Sequence, residues 1–203
     1  MKKVLLLFTI LIVSVMTTAC INNLAIQELN NKAAAYMDKG DTETAICRLK
    51  SSLDLDAEIY QTHYNLAVAY NTIGNYHDSV EESKKVIELK PDFAEAHYTL
   101  AIAKEELAYQ IINKMPDENG YTPELTLDEI SNFNNLAQES IDNYNAFLVK
   151  KVDAEETQQI NDKIAELNSK IKDLTKQYDE ISAQNQEQIS QELNQHPEEQ
   201  PAE

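Results

Sequence analysis

Apolar residues recur at helical spacing from Ile26 to about Lys114, and the whole pattern returns after 34 residues. At that interval Tyr36 is followed by Tyr70, Gly40 by Gly74, and Ala33 by Ala67 and Ala101. Helical spacing alone predicts amphipathic helices. A fixed longer period predicts more, because each copy is then a helix pair whose apolar face stays exposed until a neighbour stacks on it. A stack of such pairs presents a curved surface that can hold another chain. The residue types agree. Ala33, Ala45, Ala67, Ser79 and Ala101 let helix backbones approach, while Tyr36, Tyr70, Leu66 and Leu100 fill the spaces so formed. Gly40 and Gly74 stand where the first helix of a pair must stop and reverse, a turn that favours positive φ. No stretch shows strand-like alternation, and only three glycines and five prolines are spread over 203 residues. The fold class is all-α.

Beyond Ala94 the pattern changes. Leu100, Ala103, Leu107, Ile111 and Ile112 carry helical spacing past the expected turn, so the first helix of the third copy is lengthened. Met115 to Thr126, with Pro116, Gly120 and Pro123, reads as a loop. Thr126 and Glu129 form a capping-box pair ahead of a stripe of Ile130, Phe133, Ala137, Ile141, Tyr144 and Leu148, which predicts a long helix from Leu127 to Lys150. Asp153 and Glu156 open another helix. In it Ile160, Ile164, Leu167, Ile171, Leu174, Tyr178 and Ile181 alternate spacings of four and three, a heptad seam.

Two uses of the seam compete: folding back as a cap on the helix from Leu127, or pairing with a second copy of the chain. The Leu127 helix is about 36 Å long at 1.5 Å per residue, which matches the seam, and the connection from Lys151 to Asp153 is short enough to favour antiparallel neighbours. The cap, and with it a monomer, is the expectation. After Ala183 the chain turns to Gln, Asn and Glu with Pro197 and Pro201, and from Asp179 onward it has seven acids and no base. Residues 184–203 are therefore expected to be a disordered acidic tail.

Set in register, the middle copy runs from Tyr60, with His63, Tyr64, Leu66, Ala67 and Tyr70 on its first helix and Gly74 at the turn. Ser79, Ser83 and Val86 lie on its second helix, and Pro91 closes it. The preceding copy starts at Ile26 with Leu29, Ala33, Tyr36, Gly40, Ala45 and Leu49. The third starts at Ala94 with His97, Leu100 and Ala101, then departs, with Lys104 in the tyrosine's place and no turn glycine. This arrangement resembles the tetratricopeptide repeat, with Lys32 where that family has Leu and Ala57 where it has Pro. The resemblance implies a helical-hairpin solenoid of about three repeats over 26–150, divided 26–59, 60–93 and an enlarged 94–150. The helix over 151–183 then closes the stack.

The first residues, MKKVLLLFTILIVSVMTTAC, place two lysines before an apolar run from Val4 to Met16 and small residues before Cys20. This is a secretory signal too short to span a bilayer permanently. Its ending, Thr17-Thr18-Ala19-Cys20, resembles a bacterial lipobox with Thr17 in the usual leucine position. By that resemblance residues 1–19 are removed, Cys20 becomes the first, acylated residue, and 20–25 form a short tether. The alternative is an ordinary signal cut near Ala19 that leaves Cys20 a plain cysteine. Ile21 rather than Asp after the cysteine resembles sorting to the outer membrane of a diderm host.

Loss of 1–19 removes Lys2 and Lys3 and no acid, leaving 15 basic and 35 acidic residues and a net charge of −20. Nucleic acid and anionic headgroups are thereby excluded as partners, so the lipid does the anchoring. With Cys20 acylated, Cys47 is the only free thiol, at an outward repeat position. No pair of the histidines has metal-ligand spacing on one helix face, and no Gly-rich phosphate loop is present. His63 and His97 share one packing position, one repeat apart. The expectation is a non-enzymatic protein without metal or cofactor.

In the family ligands lie along the first helices, which here implies a groove of Asn30, Ala34, Tyr64, Val68, Asn71, Glu95, Tyr98, Ile102 and Glu105, with Gln27, Met37, Asp38, Gln61, Thr72 and Glu106 beside them. The family's carboxylate-clamp variety needs several Lys or Arg at these positions, and this chain has none. The expected partner is an envelope protein or peptide, neutral or basic at the contact. The function so implied is a membrane-anchored scaffold in the bacterial envelope, on the periplasmic side of the outer membrane in a diderm host. The alternative is a structural lipoprotein that self-associates through the helix at 160–181.

Overall fold

The computed structural model describes residues 21–116, 118, 120–150 and 153–195. The signal segment, Cys20 and the last eight residues, 196–203, lie outside the described residues. The described chain is all-helical: α1 (21–37), α2 (Thr42–Leu53), α3 (Tyr60–Thr72), α4 (Tyr76–Leu89), α5 (Ala94–Ile112), α6 (Leu127–Leu148) and α7 (Ala154–Gln195). It divides into two compact units within α5, one up to Ala103 and one from Lys104.

The first unit shows why the period matters. Gly40 and Gly74 have φ of +76° and +73°, the conformation that only glycine takes without strain. Each lets the helix close on itself in the same way: Asp41 N–H donates to Tyr36 C=O and Asn75 N–H to Tyr70 C=O, both at 2.9 Å. The same two residues then cap the next helix, Asp41 accepting from Thr44 N–H and Asn75 from Asp78 N–H. Between the turns Ala33, Ala45, Ile46, Leu49, Leu66, Ala69 and Tyr70 form one buried cluster. Ser79, fully buried, donates its hydroxyl to Ala67 C=O at 2.9 Å, so its small size brings α4 against α3.

In the second unit Thr126 caps α6 with a complete capping box, and Glu129 is also held by Lys114 at 2.7 Å. Those bonds hold the Glu129 carboxyl down at about 2, Lys114 contributing most. Asp153 accepts from Glu156 N–H and starts α7. α7 runs antiparallel to α6, since Lys163 lies over the Tyr144 ring while Asn134 donates to Thr175. The seam packs within the chain, as expected of a cap, with Ile160, Leu167 and Leu174 buried. Burial fades further on, to 37% exposure at Tyr178 and 57% at Ile189. The cause is length: α6 has 22 residues and α7 has 42, a difference of roughly 30 Å.

Two expectations are corrected. Residues 21–25, read as a tether, are already helical, with no Gly or Pro to interrupt them and Asn23 accepting from Gln27 one turn on. Residues 184–195, read as disordered, continue α7 to Gln195. Gln and Glu are good helix formers, and the first breaker after Ala183 is Pro197.

Candidate functional site

The helices α1 and α3 present their outward register positions side by side, and the structure opens two adjoining clefts there. One, of about 240 Å³, is walled by Ala33, Ala34, Met37, Leu49, Tyr64 and Val68, with Asp38 and Asn65 at its edge. The other, of about 470 Å³, is lined mainly by carboxamides: Asn23, Gln27, Asn30, Asn31, Gln61 and Asn65. Asn65 belongs to both. No Lys or Arg lines either cleft.

The walls are fixed from behind. Asn30 donates to Ser52 Oγ and Thr62 Oγ1, each at 3.0 Å, and accepts from Asn65 Nδ2 at 3.0 Å, which ties α1, α2 and α3 together. Tyr64 packs edge-on against Phe93, ring centres 5.0 Å apart, and Phe93 meets Tyr60 in the same manner. Burial first, then Glu95, pushes the Tyr64 phenol up, against a hydrogen bond with Thr99. A rigid aromatic wall and an anchored amide pair thus frame the site before any ligand arrives.

Of the residues placed in the groove from sequence, Ala34, Tyr64 and Val68 meet in the apolar cleft and Asn30 in its neighbour. Asn71 is half-buried and donates to Thr99 C=O at 3.1 Å, tying α3 to α5. Tyr98 and Ile102 are half-buried on α5, and Glu95 is exposed. Glu105 is corrected. It lies in the second unit, 7% exposed, where it accepts from Tyr144 Oη, with both carboxylate oxygens 3.0 Å from Lys163 Nζ. An acid at an outward position is covered here because α7 brings a cation to it. It serves packing, not a groove.

The sequence reading missed Asn23, Asn31 and Asn65. A signal for them exists: Gln27 and Gln61 stand 34 residues apart, and so do Asn31 and Asn65. His63, expected as a packing residue, is buried, with Nδ1 2.5 Å from Glu82 and Nε2 2.9 Å from Ala57 C=O. Among the described residues no group of His, Cys, Asp and Glu could hold a metal ion, and no helix is long and apolar enough to cross a membrane.

The fold is that of a stack of tetratricopeptide-like helical hairpins. Residues 60–93 match the tetratricopeptide repeat family. The chain is similar in structure to the TPR2B domain of yeast Sti1, solved as a pHsp70 complex, with TM-score 0.50 and 16% identity over 70% of this chain and 98% of that one. It also resembles the Sgt2 TPR domain of Aspergillus fumigatus, with TM-score 0.49 and 14% identity over 74% of this chain and 82% of that one. A comparison with curated protein sequences returns no match.

Proposed function

We propose that the chain is a non-enzymatic scaffold of the bacterial cell envelope, held to the membrane by lipid on Cys20, that binds other envelope proteins through the face of α1 and α3. The observation that carries this reading is the pre-formed pair of clefts, where Ala34, Tyr64 and Val68 meet. A cleft walled by apolar side chains beside fixed polar groups is suited to holding another molecule. The pHsp70 complex of the Sti1 domain supports a protein partner for this kind of fold. The signal-like start and Ala19-Cys20 support the anchor, and Ile21 supports the periplasmic face of an outer membrane. Self-association is less favoured, because α7 spends Ile160, Leu167 and Leu174 on its own chain.

Crosslinking pull-down from native envelopes tests the reading. The double change Tyr64→Ala and Tyr98→Ala should abolish partner recovery while helicity by circular dichroism is kept. Ala34→Arg, at an exposed position on the cleft wall, should do the same without touching the core. Recovery that survives both changes rejects the groove. Cys20→Ser should release the protein from membranes or leave the precursor uncleaved, and unchanged retention with normal processing rejects the anchor.

A further inference from the structure

The outward face of α1 changes character within its first described turns. Ile21 and Leu24 stand one turn apart there, 67% and 69% exposed. One turn further the same face carries Glu28 and Lys32, an ion pair at 3.0 Å. The change from apolar to charged, from Leu24 to Glu28, takes about 6 Å of helix. The other side of these turns is packed. Ile26 is buried and, with Asn22 and Asn23, lines a hollow of about 270 Å³ whose far wall is Leu55, Asp56 and Ile59. Leu55 is exposed and belongs to the segment between α2 and α3, so it reaches the same end of the first unit. Among that unit's described residues the exposed large apolar side chains are Ile21, Leu24, Leu55 and Ile73. The first three gather at one end, whereas Ile73 follows the last turn of α3, roughly 20 Å further along that helix.

A single exposed Leu or Ile is ordinary, but a group of them at one end marks a contact. Covalent geometry decides what the group meets. The Cα atoms of Cys20 and Ile21 are about 3.8 Å apart, and α1 is helical from Ile21 onward. No spacer therefore separates a lipid on Cys20 from the helix, and Ile21 is brought to the headgroups. Apolar side chains of a surface-bound helix sink about 5–10 Å into the headgroup region, which accommodates Ile21 and Leu24 and leaves Glu28 in water. A second copy of the chain fits less well. Three side chains do not supply the roughly 800 Å² per partner of a stable protein interface, whereas a bilayer asks for no matching shape. Asp54, Asp56 and Glu58, all exposed, flank Leu55, so this end suits zwitterionic headgroups and is repelled by anionic ones.

We propose that Ile21, Leu24 and Leu55 form a membrane-contact surface that seats this end of the first unit on a zwitterionic bilayer and fixes its orientation there. The proposal rests on the lipid anchor at Cys20 and adds how the anchored unit stands. Asn31, the far end of the carboxamide cleft on α1, then lies within about 15 Å of Ile21 along the helix, so a partner meets that cleft at the membrane surface. The test uses the lipidated full-length chain in a Cys47→Ser background, because Cys47 is an exposed thiol. A nitrobenzoxadiazole label is placed at Leu24→Cys, Leu55→Cys, Lys32→Cys or Ile73→Cys, one at a time, and each chain is reconstituted in vesicles of phosphatidylethanolamine and phosphatidylcholine. Nitroxide-bearing lipid should remove most of the emission at positions 24 and 55 and leave 32 and 73 unchanged. Leu24→Glu, at an exposed position, should return the label at 55 to solvent while the chain stays on the vesicles and keeps its helicity. Added phosphatidylglycerol should reduce quenching at 55 more than at 24. Equal quenching at all four positions, no quenching at 24 and 55 in a chain that sediments with the vesicles, or quenching at 55 that rises with phosphatidylglycerol each overturns the proposal and leaves the anchor standing. Shielding of 24 and 55 in the Cys20→Ser chain without vesicles, growing with protein concentration, gives the patch to a second copy and overturns it as well. A mature chain whose Cys20 carries no lipid by mass removes the anchor, and this surface with it.

Discussion

The two units solve one packing problem with different chemistry. In the first, the large residue after each run of small ones is Tyr70, buried in an apolar cluster with Leu49 and Leu66 and capped by a glycine turn. In the second, the equivalent position holds Lys104, only 7% exposed, whose ammonium pairs with Glu139 of α6. Its neighbour Glu105 is buried between Tyr144 and Lys163, and Tyr109 donates to Glu166 at 2.8 Å, its phenol pushed up by burial and by that carboxylate. The contrast shows what a repeat position requires. It asks for a long side chain that fills a gap, and a charged head is tolerated there when the neighbouring helices bring a partner for it. The glycine turn disappears at the same place, since a lengthened α5 has no need to reverse early.

The largest effect should come from the apolar side of this comparison. Tyr70→Ala removes a ring from the centre of the first unit's cluster and should cost about 3–5 kcal/mol, read as a lower denaturation midpoint. An unchanged midpoint would show that Tyr70 is not the keystone its burial implies. On the charged side the cost should be asymmetric. Glu139 is half exposed, so Lys104→Met leaves behind a carboxylate that water can solvate, and stability should stay within about 1 kcal/mol of the native chain. Glu139→Ala instead leaves a buried ammonium unpaired and should cost about 1–3 kcal/mol. Equal costs for the two would mean that the pair acts through its attraction alone and not through desolvation of Lys104.

Much of this architecture is legible from local signals. The turn at Gly74, the cap at Thr126 and the seam from Ile160 each depend on residues within a few positions of one another, and the structure has them where the spacing puts them. Glu105 is different. Its register position faces outward, and only the arrival of Lys163, 58 residues later, buries it. No local pattern encodes that meeting. The end of α7 misleads for another reason, because Gln and Glu suggest disorder by composition while favouring helix by propensity, and from Ala183 to Gln195 nothing breaks the helix. The carboxamide face was overlooked because exposed Asn and Gln are ordinary on helices. The 34-residue recurrence of Gln27 and Asn31 was the one available clue.

The smallest effect expected is one of pH, and it probes the charged exception inside the apolar unit. Both ring nitrogens of His63 have an oxygen partner, Nδ1 at 2.5 Å from Glu82 and Nε2 at 2.9 Å from Ala57 C=O, an arrangement that favours the protonated ring. The Glu82 hydrogen bond is the main cause that raises its pKa above the ordinary 6.5, against burial and the positive charge of Lys85, which itself lies 3.8 Å from Glu58. A raised folded pKa means that the folded chain binds the proton more tightly than the unfolded one. The contribution is therefore complete below 6.5 and is lost as pH rises through the folded value. Thermal unfolding should show stability falling across that upper window in the native chain. His63→Gln, which keeps a donor but cannot titrate, should flatten the step while lowering the acid-side plateau. A step that persists unchanged in His63→Gln would assign it to another group and leave the His63–Glu82 pair without a role in stability.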